Sequence, residues 1–96
     1  MDVLIVVSQP RSARVLVPLG AACTRRDIRW TCFFTNDGVT CLNDPIVQKV
    51  VSGAERAVAC EASWSEYAGN MVCPVELGSQ TNHSALAAQA ARIVGL

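Results

Sequence analysis

Short apolar runs alternate along this chain with segments whose apolar residues recur at helical spacing. Residues Val3–Val7 form a continuous run rich in β-branched side chains, the composition of a strand buried on both faces, and so of a central parallel strand. Ser8-Gln9-Pro10 then predicts a helix start, with Ser8 or Gln9 near the cap and Pro10 at the first helical position, where its missing N–H costs nothing. Ala13, Leu16, Val17, Gly20 and Cys23 follow on one helical face, and Pro18 inside that pattern predicts a kink or a split. Residues 28–35 predict a second strand. Asp44-Pro45 predicts the next helix start, with Asp44 as cap, leading into Ile46, Val47, Val50 and Val51 and ending at Ser52-Gly53.

Residues 57–60 are a third, short apolar strand that ends on Cys60. Ser63 with Glu66 three residues on has the pattern of a capping box, which predicts a helix over 61–67. Residues 71–77 suit a fourth strand at an edge, because Pro74 interrupts them. Asn82 or Ser84 is the expected cap of a last helix, with Leu86, Ala90, Ile93 and Val94 on its buried face. Strand and helix thus alternate throughout, the signature of an α/β fold with a mainly parallel sheet flanked by helices on both faces. In such a fold the loops at Ser8, Asn36, Cys60 and Gly78 share one rim of the sheet, where ligands bind.

One stretch admits two local readings. Asn36-Asp37-Gly38 lies between the apolar residues 30–35 and 39–42, and Asp-Gly in that setting is a hairpin signal. Alternatively the chain leaves a parallel strand there, and the strand–helix alternation favours this second reading.

The 96 residues suffice for a single domain spanning 1–96. Hydrophobic residues make up 51% while formal charges cancel. A small domain so apolar is expected to self-associate, as a homo-oligomer. Zero net charge argues against nucleic acid or an anionic membrane as partner. The apolar run at the N-terminus is shorter than a secretory core, and no segment is long enough to span a bilayer, so a cytoplasmic location is expected. In that compartment the five cysteines read as buried thiols with one or two reactive ones, not as a disulfide framework.

Cys60 is the first candidate for chemistry. It closes a strand and precedes a helix, so its sulfur is expected near unpaired backbone N–H groups that stabilise a thiolate, with Glu61 opposing. The competing reading is a small apolar residue that finishes a buried strand. Cys41, in or just after the Asp37-Gly38 loop, is the alternative, as a reactive thiol or as the exchange partner of Cys60. Cys23 and Cys32 read as packing. There is no Cys-x-x-Cys pair and a single histidine, His83, which predicts no metal site; His83 caps or precedes the last helix, or serves as acid or base near a thiol. Neither a Gly-x-Gly-x-x-Gly nor a Walker A run is present, so no cofactor is expected.

The buried first strand, the helix rich in small residues, the run Phe33-Phe34-Thr35-Asn36-Asp37-Gly38-Val39 and a cysteine at the end of the third strand together resemble the DsrE/DsrF-like family. That resemblance covers most of the chain and is firmest over residues 3–39. It implies a three-layer, flavodoxin-like sandwich that assembles into oligomers. In members with the cysteine it also implies a sulfur relay subunit that carries persulfide between donor and acceptor proteins. Carried over, Cys60 is the sulfur-bearing thiol and Asn36, Asp37 and Gly38 form the substrate-binding loop beside it. The rival reading is a non-catalytic oligomeric module whose crevice binds a small ligand or supports a partner protein.

Overall fold

A computed structural model describes all 96 residues, Met1–Leu96. In chain order the elements are β1 (Val3–Val7), a 3₁₀ turn (Pro10–Ser12), α1 (Ala13–Arg25), β2 (Trp30–Phe34), a 3₁₀ segment (Asn36–Asn43) and α2 (Pro45–Val51). They continue with β3 (Arg56–Cys60), α3 (Glu61–Ala68), β4 (Glu76–Gly78), α4 (Gln80–Gln89) and β5 (Arg92–Gly95). The five strands form one sheet in the order β4-β3-β2-β1-β5, and every neighbouring pair is parallel. The chain therefore has the α/β architecture expected from its alternating pattern, with β1 inside the sheet.

The strand order fixes where the helices lie. From β1 to β4 each step moves to the next strand on the same side, so right-handed crossovers place α1, α2 and α3 on one face. The step from β4 to β5 runs back across the whole sheet through α4, which must then cover the other face. Core packing agrees. Leu16, Cys23, Val47, Val51 and Trp64 of the first three helices pack with Ile5, Val7, Trp30, Cys32, Phe34 and Ala59 of the strands. Leu86 of α4 packs with Leu4, Phe33, Val58 and Cys60. Odd and even positions of each strand thus feed opposite cores, as the period of a strand demands. The result is a three-layer sandwich with three helices on one face and one on the other.

Local sequence explains most boundaries. Asp44 accepts a hydrogen bond from the Ile46 N–H at 2.8 Å, with Pro45 at the first position of α2. Trp30 is buried, and its indole N–H donates to Thr24 Oγ1 at 3.1 Å, so the core keeps a large aromatic without an unpaired donor. α1 runs unbroken through Pro18. The bond that Pro18 forfeits is the one to the Arg14 carbonyl, and both residues lie on the exposed side, where water replaces it.

Four expectations are corrected. The cap of the last helix is Ser79, so Asn82, His83 and Ser84 lie inside its first turns instead of capping or preceding it. Ile93 and Val94 do not extend the last helix. Ala90 is already extended at the C-cap, and Arg92–Gly95 pairs with β1, whose outer side would otherwise be an open row of backbone groups. The fourth strand is only Glu76–Gly78, beginning after Pro74, which has no N–H to give a ladder. Finally, Cys60 and not Ser63 is the N-cap residue of α3, and Ser63 is the third residue of the helix, buried in its first turn.

The chain leaves the sheet after Phe34 and turns no hairpin. Asn36 takes the left-handed backbone, with φ of 51°. Gly38 is needed for a different reason. A Cβ there would lie 2.5 Å from the Val7 carbonyl oxygen and 2.9 Å from the Gln9 nitrogen, so only glycine lets the 3₁₀ segment lie against the end of β1. No helix is long and apolar enough to cross a membrane.

Candidate active site

Because all strands are parallel, their carboxyl ends share one rim. Along that rim the connections after β1, β2 and β3 turn to one face, and the connection after β4 turns to the other. The point of divergence lies between β3 and β4, and crevices in open α/β sheets form where neighbouring connections part in this way. Cys60 is the last residue of β3, and its register partner there is Gly78 of β4. A Cβ on Gly78 would come within 2.7 Å of Val58 Cγ1 and 3.1 Å of Asn82 Oδ1, so the missing side chain lets the start of α4 close over the end of β3.

Two helix N-termini therefore flank the Cys60 sulfur. From α3 come the N–H groups of Ala62 and Ser63, which belong to the first turn and have no partner within the helix. From α4 comes Gln80, whose Nε2 lies 3.7 Å from Cys60 Sγ. The start of α4 is held rigidly by a capping box, in which the Asn82 N–H donates to Ser79 Oγ and the Ser79 N–H donates to Asn82 Oδ1 at 2.8 Å.

Two further groups extend this set. With the Gln80 amide nitrogen turned to the sulfur, its Oε1 meets His83 Nδ1 at 3.3 Å, which requires the proton on Nδ1. The His83 ring stacks on Phe33, with centroids 4.7 Å apart and planes 13° from parallel. On the other side, the Ser63 hydroxyl oxygen accepts the Asn36 N–H at 2.9 Å, so its own proton is free for the sulfur.

These contacts decide the acidity of the thiol. Burial, with Cys60 only 5% exposed, pushes its pKa up. The Ser63 hydroxyl and N–H, the Gln80 amide and the Ala62 N–H all favour the thiolate, and together they outweigh burial, so Cys60 titrates below the ordinary thiol value. The other shifted thiols go the opposite way. Burial pushes Cys32 and Cys73 up, and Cys41 is raised by burial and, more weakly, by the nearby Asp37 and Asp44. All five cysteines are free.

Of the residues singled out in the sequence, the fold brings together Cys60 and Asn36, with Ser63 as the link. Asp37 and Gly38 turn instead toward the end of β1 and Cys41. The Asp37 carbonyl accepts from Thr40 Oγ1 at 2.7 Å, and the Cys41 thiol, 5% exposed, donates to the Pro10 carbonyl at 3.1 Å. Cys41 belongs to the core under α1–α3 and Cys60 to the core under α4, with the sheet between them. The two thiols cannot exchange with each other in this fold. Gln80 was invisible in the sequence, since nothing local distinguishes it from any exposed glutamine at a helix start. Ser63 was legible only as a capping residue.

Chemically, the arrangement is a strand-end thiol whose ionised form is favoured by groups from two helix starts, with no convergence of three or more His, Cys, Asp or Glu side chains. Comparison with protein-family models and with curated proteins finds no match to this chain.

Proposed function

We propose that this chain is a DsrE/DsrF-like sulfur carrier that holds a persulfide on Cys60. One observation supports this most: a strand-end cysteine whose hydrogen bonds from Ser63, Gln80 and Ala62 prevail over burial and lower its pKa, while three other thiols are raised. The parallel α/β sheet and the Asn36 loop joined to the same site through Ser63 are in keeping with the family.

The reaction is a thiol exchange. The Cys60 thiolate attacks the outer sulfur of a donor persulfide, a new Sγ–S bond forms, the donor's S–S bond breaks, and the donor cysteine leaves as a thiolate that takes a proton from water. No electrons are gained or lost overall, so neither metal nor organic cofactor takes part. Transfer onward repeats the step with an acceptor protein's thiolate as nucleophile. Gln80 is exposed, and displacement of its side chain opens the sulfur to the donor. The Ser63 and Ala62 groups stay in place beside the sulfur and favour the anionic form of the persulfide.

The donor and acceptor are proteins that dock on the rim around the starts of α3 and α4. Free thiols throughout suit a reducing compartment, and we place the chain in the cytoplasm. We also propose a homo-oligomer, most simply a dimer, because Tyr67, Met71, Val72 and Leu77 leave apolar surface exposed around the edge strand β4.

The 5% exposure of Cys60 favours a second reading, a non-catalytic module whose rim binds a small ligand or a partner. Incubation with a persulfide donor followed by peptide mass spectrometry separates the two. A sulfur-mass adduct on Cys60, lost in Cys60→Ser, supports the carrier. Absence of any adduct, or an adduct that persists in Cys60→Ser, leaves the module.

A further inference from the structure

A cavity of about 720 Å³ lies toward the other end of the same rim, where the carboxyl ends of β1 and β5 meet the start of the first helix. It shares no residue with the Cys60 site. Its walls carry Gln9, Arg11, Ser12 and Arg14, closed at one side by Gly95 and Leu96, and no acidic side chain lines it. Arg11 and Arg14 make no ion pair, the two ion pairs of the chain being Arg29–Glu55 and Arg56–Glu76. Two arginines thus line one cavity, neither of them paired with an acidic side chain.

Ser12 is the more telling residue. It is 6% exposed, yet its hydroxyl makes no hydrogen bond within the chain, and its oxygen is not sealed in the core but opens onto the cavity. A hydroxyl with no partner in the chain, on an otherwise buried residue that lines the cavity, is a donor free for a group that the cavity receives. The backbone adds to it. Pro10 carries no N–H, the Arg11 N–H has no backbone acceptor, and the cap residue Gln9 spends no side chain on the first turn. The positive end of the helical run from Pro10 to Arg25 is therefore uncapped and faces the arginines. The Leu96 carbonyl is already engaged, accepting from the Ser8 N–H at 3.2 Å and the Ser8 hydroxyl at 3.0 Å.

We infer that this cavity binds a tetrahedral oxyanion, namely phosphate, free or as the phosphate group of a small phosphomonoester. Two guanidinium forks, a hydroxyl and a helix N–H supply donors from several directions, more than the two oxygens of a carboxylate use and well matched to the oxygens of a phosphate. A cavity of this size has room beyond the anion for the body of an ester.

The test is a titration of the ¹⁵N-labelled full chain with inorganic phosphate and then with glycerol 3-phosphate, at constant ionic strength maintained with chloride. Saturable shifts of the Arg11, Ser12 and Ala13 amides are expected, with affinity at least about tenfold weaker in Arg11→Gln/Arg14→Gln. Ser12→Ala, which removes a hydroxyl that holds nothing in the fold, is expected to weaken binding several-fold and leave the unfolding midpoint unchanged. Tighter binding of glycerol 3-phosphate than of phosphate assigns the cavity to a phosphomonoester, and equal binding assigns it to the free anion. Shifts that do not saturate, that chloride alone reproduces, or that survive the double arginine variant unchanged overturn the proposal.

Discussion

The Asn36 N–H donates to Ser63 Oγ at 2.9 Å, and this single bond joins the loop after β2 to the first turn of α3. It also orients chemistry. With its oxygen occupied as acceptor, the Ser63 hydroxyl has its proton available for the Cys60 sulfur, so the left-handed backbone at Asn36 and the acidity of Cys60 are parts of one arrangement. The loop positions the hydroxyl, the hydroxyl favours the thiolate, and the thiolate performs the proposed exchange.

Ser63→Ala is accordingly expected to raise the Cys60 pKa, since it removes a hydroxyl that favours the thiolate and a hydrogen bond to a charged group is worth about 1.5–3 kcal/mol. The check is the pH dependence of Cys60 alkylation in the two proteins. Superimposable profiles mean that the Ser63 hydroxyl does not reach the sulfur. Gln80→Leu is expected to shift the profile in the same direction.

Gly38→Ala is expected to destabilise the fold by about 1–3 kcal/mol, because the new methyl meets backbone atoms of Val7 and Gln9 that cannot step aside as a side chain would. Urea unfolding measures this. Since Gly38 lies on the Cys41 side of the loop, residual folded protein should retain Cys60 reactivity.

Stability should fall as pH rises past about 9. Cys32, Cys41 and Cys73 have native pKa values above the ordinary thiol value, so over that range the unfolded chain loses protons that the native protein keeps, and unfolding gains. Cys60 has the opposite sign: its contribution is present above the unfolded thiol value and is lost as pH falls through its lowered native pKa. Urea midpoints between pH 6 and pH 10 should therefore decline more steeply in Cys60→Ser than in the unmodified chain, and less steeply in Cys32→Ala.

Light scattering at micromolar concentration should find more than a monomer, with Val72→Asp or Leu77→Asp shifting it toward one. These side chains are 92% and 46% exposed, so the substitutions cost the isolated fold little. A monomer in the unmodified chain removes the oligomer from the account.

Much of the fold was legible because local signals and the final packing agree. The apolar run Val3–Val7 is a strand with those bounds, and Asp44-Pro45 caps a helix as its composition says it should. The end of the third strand at Cys60 followed from the same reading. What escaped was non-local. Ile93 and Val94 carry helix-compatible spacing, and only the open side of β1, some ninety residues away along the chain, makes them a strand. Gly38 looked like a turn glycine, yet it is Asn36 that takes positive φ, and Gly38 serves a close approach to β1. Gln80 reaches Cys60 because the order of strands sets β4 beside β3, which no local pattern reveals.

Competitive alkylation of the native chain under limiting reagent, resolved by peptide mapping across pH, tests the central claim most directly, namely that hydrogen bonding outweighs burial at Cys60. The account predicts that Cys60 is labelled first of the five and that its rate rises through an apparent pKa below the 9.0 of an ordinary thiol. A Cys60 that reacts no faster than Cys23, or that titrates at or above the ordinary value, contradicts it.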